Sequence, residues 1–185
     1  VADGSSSEVA KIAPSALAWA ESHSGFRAVD RPSVYVYPDV KMFRDSTGEP
    51  GWVAASTKGD QIRIQPPHVL GSRLESVLRH EFLHFLVESN SSPGTPLWYR
   101  EGLVMLFAGE SSEAQPLLPP QKMEEIFRQR RDERKTQRAY ASAIASVARL
   151  ERRYGRAELI RWLRRGIPPG VLDRSSFPQE SSHDR

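Results

Sequence analysis

Cysteine is missing from the 185-residue sequence. That absence excludes disulfides, cysteine-ligated zinc and thiol nucleophiles together. By itself it says little about compartment. Long apolar runs are missing too. None approaches the roughly 18–20 residues of a membrane-spanning helix, so no membrane span is expected. A signal-peptide pattern is absent, and the chain begins at Val1 instead of Met. A trimmed mature form, or a piece of a longer protein, fits that start. An extracytoplasmic or secreted location is the resulting expectation. There are no internal repeats.

What is present is a globular mix, 38% apolar and 26% charged. The length suits a single domain, expected over residues 1–170. After Gly166 the chain turns rich in Pro, Ser and Gly, and 171–185 reads as a disordered tail. The formal charge of +3 is uneven: residues 121–165 carry 14 Lys and Arg against 6 Asp and Glu. Such a stretch is either a nucleic-acid surface or a set of solvated Arg-rich helix faces. No aromatic interleaving or nucleic-acid motif accompanies it, so no nucleic-acid partner is expected.

Local pattern places the elements. Residues 8–25 read as a helix with Ala, Leu and Trp on one face, kinked or started late by Pro14. SVYVY, 33–37, is β-branched and aromatic, a strand, and a short helical turn follows it. WVAAST (52–57) and DQIRIQ (60–65) flank Lys58-Gly59 and predict a hairpin, with Ile62 and Ile64 on one face. Ser72 and Glu75 have capping-box spacing, opening a helix over about 73–89. Thr95 and Pro96 suit the cap and first position of another, through about 107. Three more helices are expected, at 121–135, 138–154 and 156–165.

The stretch VLRHEFLHFLVE, 77–88, sets two histidines and a glutamate into an oily helix. At about 100° per residue, His84 falls about 40° from His80, and Glu81 about 100° from it. Leu78, Phe82, Phe85 and Leu86 fall on the far side. Two imidazoles one turn apart can aim their nitrogens at one metal ion. The residues spell H-E-x-x-H. With five histidines in the chain, chance yields that pattern on the order of one time in a hundred. The bland alternative is a histidine pair without a metal.

Catalytic zinc takes three protein ligands and keeps a fourth position for water. A third histidine six residues on is excluded, because Asn90 stands there and Val87 occupies the glycine position of that pattern. The next helix, PLWYREGLVMLF, carries Glu101, 17 residues after His84 and followed by Gly102. A carboxylate in so apolar a helix is costly unless paired or metal-bound. It is either the partner of an arginine or the third ligand; with H-E-x-x-H upstream, the ligand is expected.

HEFLH followed by WYREGL resembles the gluzincin zinc metallopeptidases, in particular the compact bacterial peptidase-MA-like domains. The resemblance spans about residues 33–166. It takes in GWVAASTKGDQIRIQPP as the edge-strand region, and AYASAIASVARLERRYGRAELIRWLRRG as a Tyr-led helix, a Y-G turn and a final helix. It implies an α+β fold: a small, mostly antiparallel sheet packed on the active-site helix, then a helical C-terminal lobe. It also implies one Zn²⁺ held by His80, His84 and Glu101, with Glu81 as general base on the attacking water. The peptide or protein substrate would lie extended along strand 60–65.

Tyr140 matches the tyrosine that steadies the oxyanion in aminopeptidase-like members; a half-buried core tyrosine is the alternative. Trp98, Tyr99 and Tyr154 are expected to pack. His68 is either a cleft residue or a plain loop histidine, and His23 and His183 lack context. The function implied is a zinc-dependent peptidase. A catalytically silent domain of the same fold, serving in binding, is the other reading.

Overall fold

The structure, a computed structural model, describes residues 4–112 and 116–171. The fold is α+β, and the backbone divides into two compact units, Val1–Ser89 and Asn90–Arg185. No helix among the described residues is long and apolar enough to cross a membrane.

The first unit opens with α1, Gly4–Ser24, which runs through Pro14. Proline cannot donate to the carbonyl one turn back, yet the helix continues on both sides. The chain then forms β1 (Ser33–Val36), α2 (Val40–Thr47), β2 (Ala55–Lys58) and β3 (Gln61–Ile64). Asp39 starts α2 by accepting the Met42 amide at 2.8 Å. The predicted hairpin is present. Its two-residue turn is Gly59-Asp60, since Lys58 pairs with Gln61, and Gly59 supplies the φ of 60° that such turns need. The small sheet has the order β1-β3-β2. It is mixed instead of mostly antiparallel: β2 runs antiparallel to β3, and β1 parallel to it.

After the sheet come α3 (Pro67–Leu70), a 3-10 turn at Gly71–Arg73 and α4 (Leu74–Ser89). The expected capping box does not form the entry. Ser72 lies inside the 3-10 turn, and Glu75 pairs instead with Arg79 at 2.6 Å. The chain already enters α4 in helical geometry, leaving no extended cap position. Helix α4 packs against α1 and the sheet. Ile62 and Ile64 of β3 and Leu78, Leu83, Leu86 and Val87 of α4 are fully buried.

The second unit is helical: α5 (Leu97–Phe107), α6 (Pro120–Gln129), α7 (Glu133–Tyr154) and α8 (Arg156–Arg165). Pro96, not Thr95, is the cap of α5, and the Glu124 carboxylate meets the Leu97 and Trp98 amides at 2.7 and 3.4 Å. Thr95 Oγ1 is spent on the Ser92 carbonyl at 2.8 Å. Helix α6 ends six residues earlier than expected, and α7 starts five earlier, because Asp132 accepts the Lys135 amide at 3.0 Å. The expected tail lies outside the described residues except for Val171, buried at the end of the 3-10 turn Pro169–Val171.

Helices α5 and α7 approach each other tightly at Gly102. A Cβ there would meet Val147 Cγ2 at 2.5 Å and the Ala143 carbonyl oxygen at 2.7 Å. Only glycine fits, because the second contact is backbone and cannot move aside. Gly102→Ala is expected to lower unfolding free energy by about 1–3 kcal/mol, the usual cost of overpacking. Urea unfolding followed by circular dichroism measures it, and wild-type stability would show that the helices have room to part.

Candidate functional site

The second half of helix α4 is buried on most sides. Besides the expected apolar side, Leu83 and Val87 are buried, and so is Glu81. His80 and His84 are half-buried. Their Nε2 atoms lie 3.1 Å apart, with ring centroids 4.8 Å apart and planes at 67°. The rings have therefore turned one nitrogen each toward a common point, as their spacing predicted. That separation permits a hydrogen bond when one Nε2 carries a proton. It also suits a shared metal: two Zn–N bonds of about 2.0–2.1 Å at a tetrahedral angle place their nitrogens about 3.3–3.4 Å apart. The donor pair thus fits zinc with little adjustment.

Glu81 points elsewhere, as its angular offset requires. Its carboxylate Oε2 accepts a hydrogen bond from Thr57 Oγ1 at 2.6 Å, while the Glu81 main-chain oxygen lies 3.3 Å from the same hydroxyl. Thr57 belongs to β2 and faces α4 in alternation with Ser56, which reaches toward Glu49 at 3.4 Å. A carboxyl group only 7% exposed is thereby held by a hydrogen bond from the sheet.

In the second unit, Glu101 lies on α5 and is 4% exposed. Its Oε1 accepts from Arg130 Nη2 at 3.1 Å. Arg130 is the one non-glycine residue with positive φ among the described residues, at 42°, and it caps the end of α6. Left-handed backbone costs a non-glycine residue roughly 1–2 kcal/mol. The arginine partner considered for Glu101 therefore exists. A carboxylate has two oxygens, and an arginine on one of them is compatible with a metal on the other. Tyr140 is half-buried, two turns into α7 and not at its start, with its ring 5.0 Å from that of Phe127.

Among the described residues, no group of three or more His, Asp or Glu side chains is gathered to hold a metal ion. The structure brings together His80 with His84, Glu81 with Thr57, and Glu101 with Arg130. Trp98, Tyr99 and Tyr154 pack as expected. Tyr99 is fully buried and donates to the Leu159 carbonyl at 2.9 Å; burial raises its phenol pKa well above the ordinary value. Tyr154 sets its edge to Trp162 at 5.1 Å. His68 is exposed on α3, and His23 stacks on Trp19 at 3.9 Å. His183 lies outside the described residues.

The sheet order corrects the expected path of the substrate. Strand 60–65 cannot take an added substrate strand, because β3 is central, bonded to β1 on one side and β2 on the other. Its backbone groups are already used. The edge strands are β1 and β2. Sequence reasoning missed Thr57 and Arg130. The hairpin alternation would have placed Thr57 on the same face as Ala55, but nothing marks Arg130 among Arg128, Arg130 and Arg131.

A family model described as "Predicted secreted protein (DUF2300)" matches residues 48–169, which include β2, β3 and every helix from α3 to α8. No curated protein and no solved structure matches the chain.

Removing Arg130 tests its pairing with Glu101. Arg130→Met in a chelator-treated sample is expected to cost about 1–3 kcal/mol, because a buried carboxylate loses a charged donor. The double variant with Glu101→Leu should regain most of that loss. Equal stability of Arg130→Met and wild type in urea would show that the pair contributes nothing.

Proposed function

The chain belongs to the DUF2300 family of predicted secreted proteins, and we propose that it is a zinc-dependent peptidase of gluzincin type. The observation that carries this reading is the 3.1 Å approach of the His80 and His84 Nε2 atoms on one helix. Glu81 sits between them in sequence, and Glu101-Gly102 follows in the order the resemblance requires. His80, His84 and Glu101 would hold one Zn²⁺. When bound, the ion supplies a Lewis acid that polarises a water and the scissile carbonyl.

Each of the chain's own groups then has a task. Glu81 takes the proton of the attacking water and delivers it to the leaving amine. Thr57 holds that carboxylate. Arg130 fixes Glu101, as an outer partner orients a ligating carboxylate. Tyr140 is the candidate donor to the developing oxyanion. An extended peptide would add to a sheet edge; β2 suits this better than β3, because it carries Thr57 against Glu81 and has one strand neighbour. The family's description as secreted supports an extracytoplasmic site of action.

A second reading is a catalytically silent domain that binds partners. The Arg130–Glu101 ion pair favours it, since it gives Glu101 a purely structural use. Glu81→Gln separates the two. A peptidase keeps its zinc, measured by elemental analysis, and loses at least about 100-fold in turnover. His80→Ala should lose the zinc itself. A chain that binds no zinc at micromolar concentration, or cleaves equally well after Glu81→Gln, would remove the peptidase reading.

A further inference from the structure

We propose that the open edge of β1, with the cavity beside it, is a docking site for the C-terminal end of an extended peptide that carries apolar side chains at alternate positions. The site lies within the first unit and does not rest on the peptidase reading. Its α4 member, Phe82, is on the far side of that helix from His80 and His84.

The cavity holds about 500 Å³, within the range of ligand pockets. Ala10, Ala13 and Leu17 of α1 form one wall and Val34 of β1 another, with Phe82 also lining it. The short side chains of α1 leave the space unfilled. Its mouth is fixed by Glu21, which accepts from the Ala28 amide at 2.9 Å and from Arg27 at 3.0 Å. Those bonds tie the loop after α1 back to the helix, and they offset the charge of the Glu21 carboxylate.

Among the described residues, β1 pairs with β3 alone. The Ser33 and Tyr37 amides donate to the Asp60 and Ile64 carbonyls at 2.8 and 3.1 Å. In a parallel ladder, alternate residues turn their backbone groups to the partner strand. Ser33, Tyr35 and Tyr37 therefore face β3, and the amides and carbonyls of Val34 and Val36 point out along the free edge. The same register sets the Val34 and Val36 side chains on the face of buried Ile62 and Ile64. A peptide strand added antiparallel would exchange both backbone bonds with Val34. The side chain opposite Val34 would then enter the cavity.

Charge sets the direction. Arg31 lines the cavity, is exposed and makes no ion pair among the described residues. Pro32 favours extended backbone at Arg31, which carries the line of β1 back to it. A peptide antiparallel to β1 ends on that side, where its terminal carboxylate meets the guanidinium. Its last and third-from-last side chains then share the cavity face.

The test is fluorescence anisotropy of fluorescein-labelled Gly-Ser-Thr-Leu-Ser-Leu on the full chain, with the peptide's integrity checked by mass spectrometry. Saturable binding is expected. A C-terminal amide should weaken it about 5–20-fold, and in Arg31→Gln the acid and the amide should bind equally. N-methylation of the first leucine, whose N–H would bond to Val34, should weaken binding about 5–10-fold; N-methylation of the serine between the leucines should change it by less than about 2-fold. Ala13→Trp fills the cavity and should abolish binding with an unchanged circular dichroism spectrum. No saturable binding, or wild-type binding by Ala13→Trp, overturns the proposal. Equal binding of the two N-methylated peptides also overturns it, and displacement by decanoate would then assign the cavity to an anionic amphiphile. Binding that falls as the chain's own concentration rises would place a second copy on the edge, and overturns it too.

Discussion

Two imidazole nitrogens held 3.1 Å apart on a buried helix are the constraint on which the account depends. Buried helix faces favour apolar side chains, and apart from Glu81 the buried residues of α4 are all apolar. A pair of polar rings turned toward one point carries a desolvation cost that a hydrogen bond offsets in part and a metal ion offsets more fully. The same turn of helix sends Glu81 to a different side, against Thr57. In the proposed peptidase, spacing and direction would keep the ligands and the general base apart within five consecutive residues.

The rest of each unit serves to fix these groups. In the first, a hairpin whose register is set by Gly59-Asp60 and by buried Ile62 and Ile64 delivers Thr57 to Glu81. In the second, the missing side chain of Gly102 lets α5 sit against α7, and Arg130 reaches Glu101 from the strained end of α6. Each is a packing solution that leaves a carboxylate with a defined direction.

Much of this was legible in the residues. The α+β class, the strands, the hairpin and the helices follow from alternation and helical period, and the His80–His84 convergence follows from spacing alone. Strand order was not legible: Ile62 and Ile64 alternate with polar neighbours in the same way whether β3 is central or at an edge. The parallel pairing with β1 joins residues far apart in sequence and leaves no local mark. The break between α6 and α7 was hidden in a charged stretch, RQRRDERK, where Asp132 stands beside Glu133 among five basic residues. Arg130 was hidden for the same reason, since charge does not tell which of several arginines turns inward. Ser72 and Thr95 show the converse: capping residues at suitable spacing, passed over because the 3-10 turn and Glu124 had already supplied what a cap would.

The most direct measurement is diffraction at the zinc absorption edge from crystals of the zinc-loaded chain. One anomalous peak is expected, within bonding distance of His80 Nε2, His84 Nε2 and a carboxylate oxygen of Glu101. A peak that lacks the imidazole pair, or no peak and an intact His80–His84 hydrogen bond at saturating zinc, would contradict it.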